Sequence, residues 1–106
     1  MPYFVFCAHD KPDAGEARAR CREQHRAYIR IAQGGCRCVA GGPLMDEGGA
    51  RMTGTLLVFE ARDRESVEAF VSSDPYMSEK IFAHMDIWKW NWGLGQPPGT
   101  HREMGT

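Results

Sequence analysis

Apolar and polar positions along the chain predict the element order β-α-β-β-α-β. The first strand, Pro2 to Ala8, is apolar on both of its faces. A strand with one face in water alternates apolar and polar residues, so we expect this strand to be covered on both sides.

The first helix is predicted from an N-cap at Asp13 to Gln33, before the glycine pair at 34–35. Its inward stripe follows the 3.6-residue period of a helix and comprises Ala17, Cys21, His25, Tyr28 and Ala32. A second row repeats at every fourth position, which is typical of a solvated face: Arg18, Arg22, Arg26 and Arg30. Arg22 neighbours His25 on the helix surface and could present its guanidinium to an anionic substrate.

A hairpin and a second helix follow. The first strand of the hairpin is predicted at Cys36 to Ala40 and runs into Gly41-Gly42-Pro43, where a ligand could approach the backbone closely. The loop Met45 to Arg51 connects it to the second strand, Met52 to Glu60. Asp63 is the predicted N-cap of a helix that continues to Ser72. Pro75 ends that helix because it disfavours helical geometry at Asp74.

The last strand, Ile81 to Trp92, shows the clearest alternation. One face carries Ile81, Ala83, Met85 and Ile87, and the other carries Phe82, His84, Asp86, Trp88, Trp90 and Trp92. The second face is too aromatic to be left in water, so we expect it to line a site or an interface. We place His84 in the cavity on this face, with a cross-strand structural contact as the alternative.

This order is that of an α+β ferredoxin-like sandwich, a four-stranded antiparallel sheet with two helices on one face. Residues 1–95 form the predicted domain and residues 96–106 a C-terminal tail. Because the strands are apolar on the face without helices, we predict a homodimer in which two sheets pack face to face as a dimeric α+β barrel.

Composition narrows the function. A chain of 106 residues with 42% hydrophobic and 25% charged residues suits a single domain. A net charge of −1 gives no general attraction to nucleic acid. Without an export signal or a long apolar run, we expect a cytoplasmic protein with no membrane partner and reduced cysteines. Cys36-x-Cys38 has no second pair of ligands, so we predict no metal site.

Four motifs together resemble the YCII-related (YciI-like) family: Arg22-x-x-His25, the segment 40–43 (Ala-Gly-Gly-Pro), Asp74-Pro75-Tyr76 and the ending Trp88-x-Trp90-x-Trp92-Gly93. The resemblance implies a dimeric ferredoxin-like fold and an active site that contains His25 and Asp74. A related dehydrochlorinase of a chlorinated hydroxyhydroquinone, and the similarly folded muconolactone isomerases, imply cofactor-free chemistry on oxygenated rings.

A His25–Asp74 dyad would suit general acid/base chemistry. An imidazole accepts and returns protons near neutral pH, and a carboxylate on one ring nitrogen leaves the other nitrogen for the substrate. We expect isomerisation or elimination, with Arg22 or the backbone near Gly41 and Gly42 stabilising an enolate-like intermediate. The predicted substrate-binding residues are Arg22, Gly41, Gly42, Pro43, Tyr76 and His84.

Other interpretations stay open. His25 could be a structural core histidine, and Asp74 could simply cap a short helix that begins at Pro75. Tyr76 either packs against Tyr28 or orients Asp74. The chain could be a non-catalytic dimeric module that binds a small anion, or a small oxygenase, with or without haem. The Gly-Gly-Pro segment is not a dinucleotide fingerprint, so no nucleotide cofactor is expected.

Overall fold

The computed structural model describes residues 1–95, and the predicted tail, residues 96–106 with His101, lies outside the described residues. The elements follow in the predicted order and include the short helix that begins at Pro75. They are β1 (Tyr3–Asp10), α1 (Gly15–Ile29), β2 (Cys36–Met45), β3 (Met52–Ala61), α2 (Arg64–Ser72), α3 (Pro75–Ser78) and β4 (Phe82–Trp90).

The four strands form one antiparallel sheet in the order β2-β3-β1-β4. The central strand β1 lies between β3 and β4, so that Phe6 is opposite Leu57 on one side and Ile87 on the other. This topology and the two packed helices confirm the predicted α+β ferredoxin-like sandwich.

The main core lies between the sheet and the helices. Phe4, Phe6 and Ala8 of β1 face this core, and α2 buries Val67, Phe70 and Val71 there. The alternate residues of β1 face the other side, where Tyr3 packs edge-on against Trp92 with 6.0 Å between ring centroids. The chain itself therefore covers one end of the sheet face that carries no helix.

Helix α1 differs from its predicted bounds at both ends. It begins at Gly15 after an N-cap at Ala14 that makes no side-chain bond, and it ends at Ile29 rather than Gln33. Asp13 adopts the left-handed conformation (φ 62°), whereas a capping residue ordinarily has extended backbone geometry. Ala32, predicted on the inward stripe, consequently lies outside the helix.

Strand β2 continues through Gly41-Gly42-Pro43, which the sequence placed after the strand. A Cβ at Gly41 would lie 2.6 Å from Leu57 Cδ2 and 2.8 Å from the Leu56 carbonyl oxygen. Close approach of the neighbouring strand thus requires glycine at position 41.

A bulge changes the facing of the first residue of β4. The register between β1 and β4 shifts at His9/Asp10, which sets Phe82 opposite Asp10. Phe82 therefore turns into the main core, 5.8 Å from the ring of Phe6. The prediction that Phe82 shares a face with His84 is wrong, because strict alternation does not hold across a bulge.

Candidate functional site

His25 and Asp74 are in direct contact, as predicted. The Nδ1 atom of His25 lies 2.9 Å from Oδ1 and 2.8 Å from Oδ2 of Asp74, and the two residues are 7% and 5% exposed. Helix α1 presents the histidine from its inward stripe, whereas the aspartate comes from the break between α2 and α3. The fold thus joins two residues that are 49 positions apart.

Asp74 also caps helix α3. Its backbone is extended (φ −67°, ψ 136°), Pro75 occupies the first turn, and Oδ1 accepts the backbone N–H of Tyr76 at 2.9 Å. Helix capping was the alternative to a dyad role for Asp74. In the structure, Asp74 both caps α3 and contacts His25. Because the backbone N–H of Tyr76 fixes the carboxylate of Asp74, the carboxylate in turn holds the His25 ring in a defined orientation.

The contact with Asp74 determines how the His25 ring is used. A carboxylate only accepts hydrogen bonds, so Nδ1 is the ring nitrogen that carries the proton and donates. In the neutral imidazole this leaves Nε2 with a lone pair. Nε2 is then the atom that can take a proton from a bound molecule.

Tyr76 fixes the plane of the imidazole. The two rings stack with centroids 3.9 Å apart and an interplanar angle of 10°. Tyr28, the other predicted neighbour of Tyr76, instead donates its hydroxyl to the carbonyl of Phe70 at 2.6 Å. Tyr76 consequently acts on both members of the pair, through its ring on His25 and through its backbone N–H on Asp74.

A cavity of about 180 Å³ lies beside His25, between α1 and the β2–β3 half of the sheet. Asp74 is not among its lining residues, since it lies behind the imidazole. Six of the residues predicted for the site line the cavity: Arg22, His25, Gly41, Gly42, Pro43 and Tyr76.

His84 does not join this site, and its predicted place in the cavity is wrong. It lies opposite His9 across the β1–β4 pair, on the sheet face without helices, and bonds Asp86 through Nε2 at 2.8 Å. Its side chain is exposed. The helices and the cavity are on the opposite face, which the alternation of β4 alone did not reveal.

Arg18 departs most from its predicted environment. It was predicted in the solvated row, yet it is only 2% exposed. Its Nε and Nη2 atoms bond the two oxygens of Asp10 at 2.6 and 2.9 Å, and Nη2 also reaches Gly54 O and Thr55 Oγ1, each at 2.8 Å. Asp10 is a charged residue at the end of an otherwise apolar strand. Its position in the sequence was the one indication that a cation from another element pairs with it in the core.

The environment of Arg18 keeps its guanidinium charged. Burial acts to lower the pKa, but the hydrogen bond and the charge of Asp10 raise the pKa above its ordinary value. Arg18 also lies over Tyr76, with Cζ 4.9 Å from the ring centroid. The side chain that stacks on His25 is thus itself held beside a permanent cation.

All four arginines of the predicted solvated row line the cavity: Arg18, Arg22, Arg26 and Arg30. Within residues 1–95, Arg18 is the member of this row with a buried carboxylate partner, whereas Arg26 pairs with Glu23 at the surface. A wall with this many guanidinium groups favours an anionic occupant.

Neither a three-ligand metal cluster nor a membrane-spanning helix is found within residues 1–95. Within that range no cluster of three or more His, Cys, Asp or Glu side chains is arranged to hold a metal ion. In the same range no helix has both the length and the apolar character needed to cross a bilayer.

Known proteins with similar sequences match most of this chain and most of their own length. Protein YciI of Escherichia coli O6:H1 is 28% identical over 89 residues, covering 79% of this chain and 91% of its own. An uncharacterized protein of Haemophilus influenzae is 29% identical over 90 residues, covering 80% and 92%.

Among solved structures, the chain is similar to the 5-chloro-2-hydroxyhydroquinone dehydrochlorinase TftG of Burkholderia phenoliruptrix, in complex with 2,5-dihydroxybenzoquinone. The TM-score is 0.76 at 27% identity, covering 86% of this chain and 95% of that one. The model of the YCII-related domain matches residues 1–91. The protein described here therefore belongs to the YCII-related domain family.

Proposed function

We propose that this protein is a cofactor-independent enzyme in which His25, held by Asp74, is the general acid/base for elimination or isomerisation of a small oxygenated ring compound. The observation that carries the proposal is the engagement of Nδ1 by both carboxylate oxygens while His25 lines a cavity. This arrangement leaves Nε2 for the substrate and stabilises the imidazolium that forms when Nε2 accepts a proton.

The chemistry is clearest for a chlorinated hydroxyhydroquinone. Nε2 removes a hydroxyl proton, the oxygen lone pair forms a C=O bond, and the ring carbon that bears chlorine takes a proton from the imidazolium. Chloride then leaves with the C–Cl electron pair as a second hydroxyl proton is lost, which gives a quinone. The net change is loss of HCl, so no external oxidant or cofactor is needed, and the first half alone is an isomerisation.

The charge of the cavity is complementary to the hydroxyquinone that this reaction produces. Hydroxyquinones are vinylogous carboxylic acids and are therefore anions at neutral pH. TftG was crystallised with such a compound, 2,5-dihydroxybenzoquinone. The arginine-lined wall beside His25 offers the complementary charge, and negative charge that develops on a ring oxygen during proton transfer is stabilised by the same wall.

The test is chloride release from 5-chloro-2-hydroxyhydroquinone, followed by ion chromatography. His25→Gln and Asp74→Asn should each lower the rate by about 100-fold or more, while affinity for 2,5-dihydroxybenzoquinone stays within about tenfold of wild type. Asn is also a good N-cap, so Asp74→Asn keeps helix α3. His84→Gln is the matched control and should turn over normally, because His84 lies on the other face of the sheet. Undiminished turnover in both dyad variants would refute the proposal.

A second candidate is a binding module without turnover, which the arginine row favours because it attracts anions whether or not the dyad reacts. The same experiment separates the two functions. Tight binding of 2,5-dihydroxybenzoquinone by a wild-type protein that releases no chloride would establish the binding module.

We also propose that the protein is a homodimer whose sheets pack face to face as a dimeric α+β barrel. The face without helices carries partly exposed apolar residues on all four strands, among them Val5, Val39, Leu56 and Trp88, the last 54% exposed. A second copy of the same sheet offers a matching apolar surface. Light scattering at micromolar concentration should give the dimer mass, and Trp88→Glu should lower it. A wild-type monomer under these conditions would exclude the barrel.

A further inference from the structure

Two arginines of α1 point at the same atom. Nη1 of Arg18 lies 3.9 Å from the sulfur of Met52, and Nη2 of Arg22 lies 4.0 Å from that sulfur. The two arginines are four residues apart, so they are neighbours on one face of the helix. A thioether is a weak acceptor for two cationic donors. A ligand with a stronger acceptor at the position of the sulfur would therefore bind both arginines better.

The two guanidinium groups differ in how their other donors are used. Asp10, Gly54 and Thr55 accept the hydrogen bonds of Nε and Nη2 of Arg18, which leaves Nη1 directed at Met52. These bonds hold the group rigidly before any ligand arrives.

Arg22 is less well satisfied. Its Nε atom is buried and has no hydrogen-bond partner within residues 1–95. A buried donor on a charged group carries a desolvation cost that an anionic acceptor would remove. Asp10 offsets the charge of Arg18, so of these two arginines it is Arg22 whose positive charge is available to a ligand.

We infer that Arg18 and Arg22 form a clamp for a planar, delocalised oxyanion, which binds where the Met52 sulfur now lies. This inference rests on the proposed function and specifies which species its site holds most tightly: the clamp binds the anionic hydroxyquinone that loss of HCl produces, a vinylogous carboxylate, while another ring position faces His25. Met52 is flexible enough to move aside. The ring of Tyr76 connects the two parts, with Arg18 Cζ 4.9 Å from its centroid and the imidazole stacked at 3.9 Å.

Calorimetric titration with 2,5-dihydroxybenzoquinone tests the clamp, with neutral hydroquinone as the uncharged probe. Wild type should bind the anion and discriminate against hydroquinone, and Arg22→Gln should weaken anion binding at least about tenfold. Arg20→Gln is the matched control, because it removes the same charge from an exposed position on the same helix and should leave affinity unchanged.

The position of the bound charge is tested at Met52. Met52→Glu places a carboxylate between the two arginines and should abolish binding of the anion, whereas Met45→Glu adds the same charge at an exposed methionine outside the cavity and should retain it. Wild-type affinity in Arg22→Gln or in Met52→Glu, or no binding by wild type, would overturn the clamp.

Failure of the clamp and failure of the dyad give different results. If Arg22→Gln binds like wild type while His25→Gln loses chloride release, the dyad stands and the clamp is wrong. If Arg22→Gln loses binding while His25→Gln still turns over, the clamp stands as an anion site and the dyad is wrong.

Discussion

Replacing Arg18 by methionine should be among the most destabilising single changes in this protein. The substitution keeps a long apolar stem but removes every donor that faces Asp10, and it also deprives Gly54 O and Thr55 Oγ1 of their shared partner. The side chains of Arg18 and Asp10 are 2% and 7% exposed. Water therefore cannot replace the lost guanidinium without the structure opening.

The size of the effect follows from leaving a carboxylate buried without its cation. Removing one partner of a buried ion pair costs about 3–5 kcal/mol, out of a free energy of unfolding of about 5–15 kcal/mol for an ordinary domain. At about 4 °C or more per kcal/mol in a domain of this length, the melting temperature should fall by at least about 12 °C.

Urea unfolding followed by tryptophan fluorescence measures the loss. Adding Asp10→Leu to Arg18→Met should restore much of the stability, because no charge is then left unpaired. Arg20→Met is the matched control: its ion pair with Glu79 is exposed, so the change should stay within about 1 kcal/mol. A loss below about 1 kcal/mol for Arg18→Met would show that Asp10 is not effectively buried and would refute the reasoning.

Two further predictions concern strand packing and acid stability. Gly41→Ala should lower the free energy of unfolding by about 1–3 kcal/mol, because its Cβ would meet Leu57 and a backbone carbonyl. Gly42→Ala is the control: its Cβ meets nothing within 4 Å, so the free energy of unfolding should change by no more than about 0.5 kcal/mol. Equal urea midpoints for the two variants would contradict this prediction. The Arg37 hydrogen bond lowers the pKa of Glu60 below its ordinary 4.5, so this stabilisation is complete above that pH and is lost as pH falls through the lower value of the folded state. Urea midpoints measured against pH should therefore fall less steeply in that acid range for Glu60→Gln, and identical slopes would exclude the mechanism.

The sequence was sufficient for the parts of the site that local rules govern. The inward stripe of α1 placed His25 in the core, and the Asp-Pro break placed Asp74 before a short helix, so each half of the pair followed from periodicity and capping. Their contact, 49 positions apart, was proposed from the resemblance to a family and is present in the structure.

The features that were wrong depend on long-range packing. Arg18 and Arg22 belong to one row at i+4 spacing, and the helix sequence alone does not show which arginine of the row is buried. Arg18 is buried because Asp10, a carboxylate from a strand, pairs with it. The predicted facing of Phe82 was wrong because the bulge opposite it breaks the two-residue period of the strand. The prediction for His84 came from the alternation of β4. Alternation shows which residues share a face of the sheet, but it does not show which face carries the cavity.

The most direct test of the dyad is the position of the proton on His25, read from the imidazole ¹⁵N shifts in alkaline buffer, with His25→Gln used to assign the signals. The structure predicts a protonated Nδ1 and a free lone pair on Nε2, with this preference weakened in Asp74→Asn. A proton on Nε2 in the wild-type protein would leave no base facing the cavity and would contradict the account.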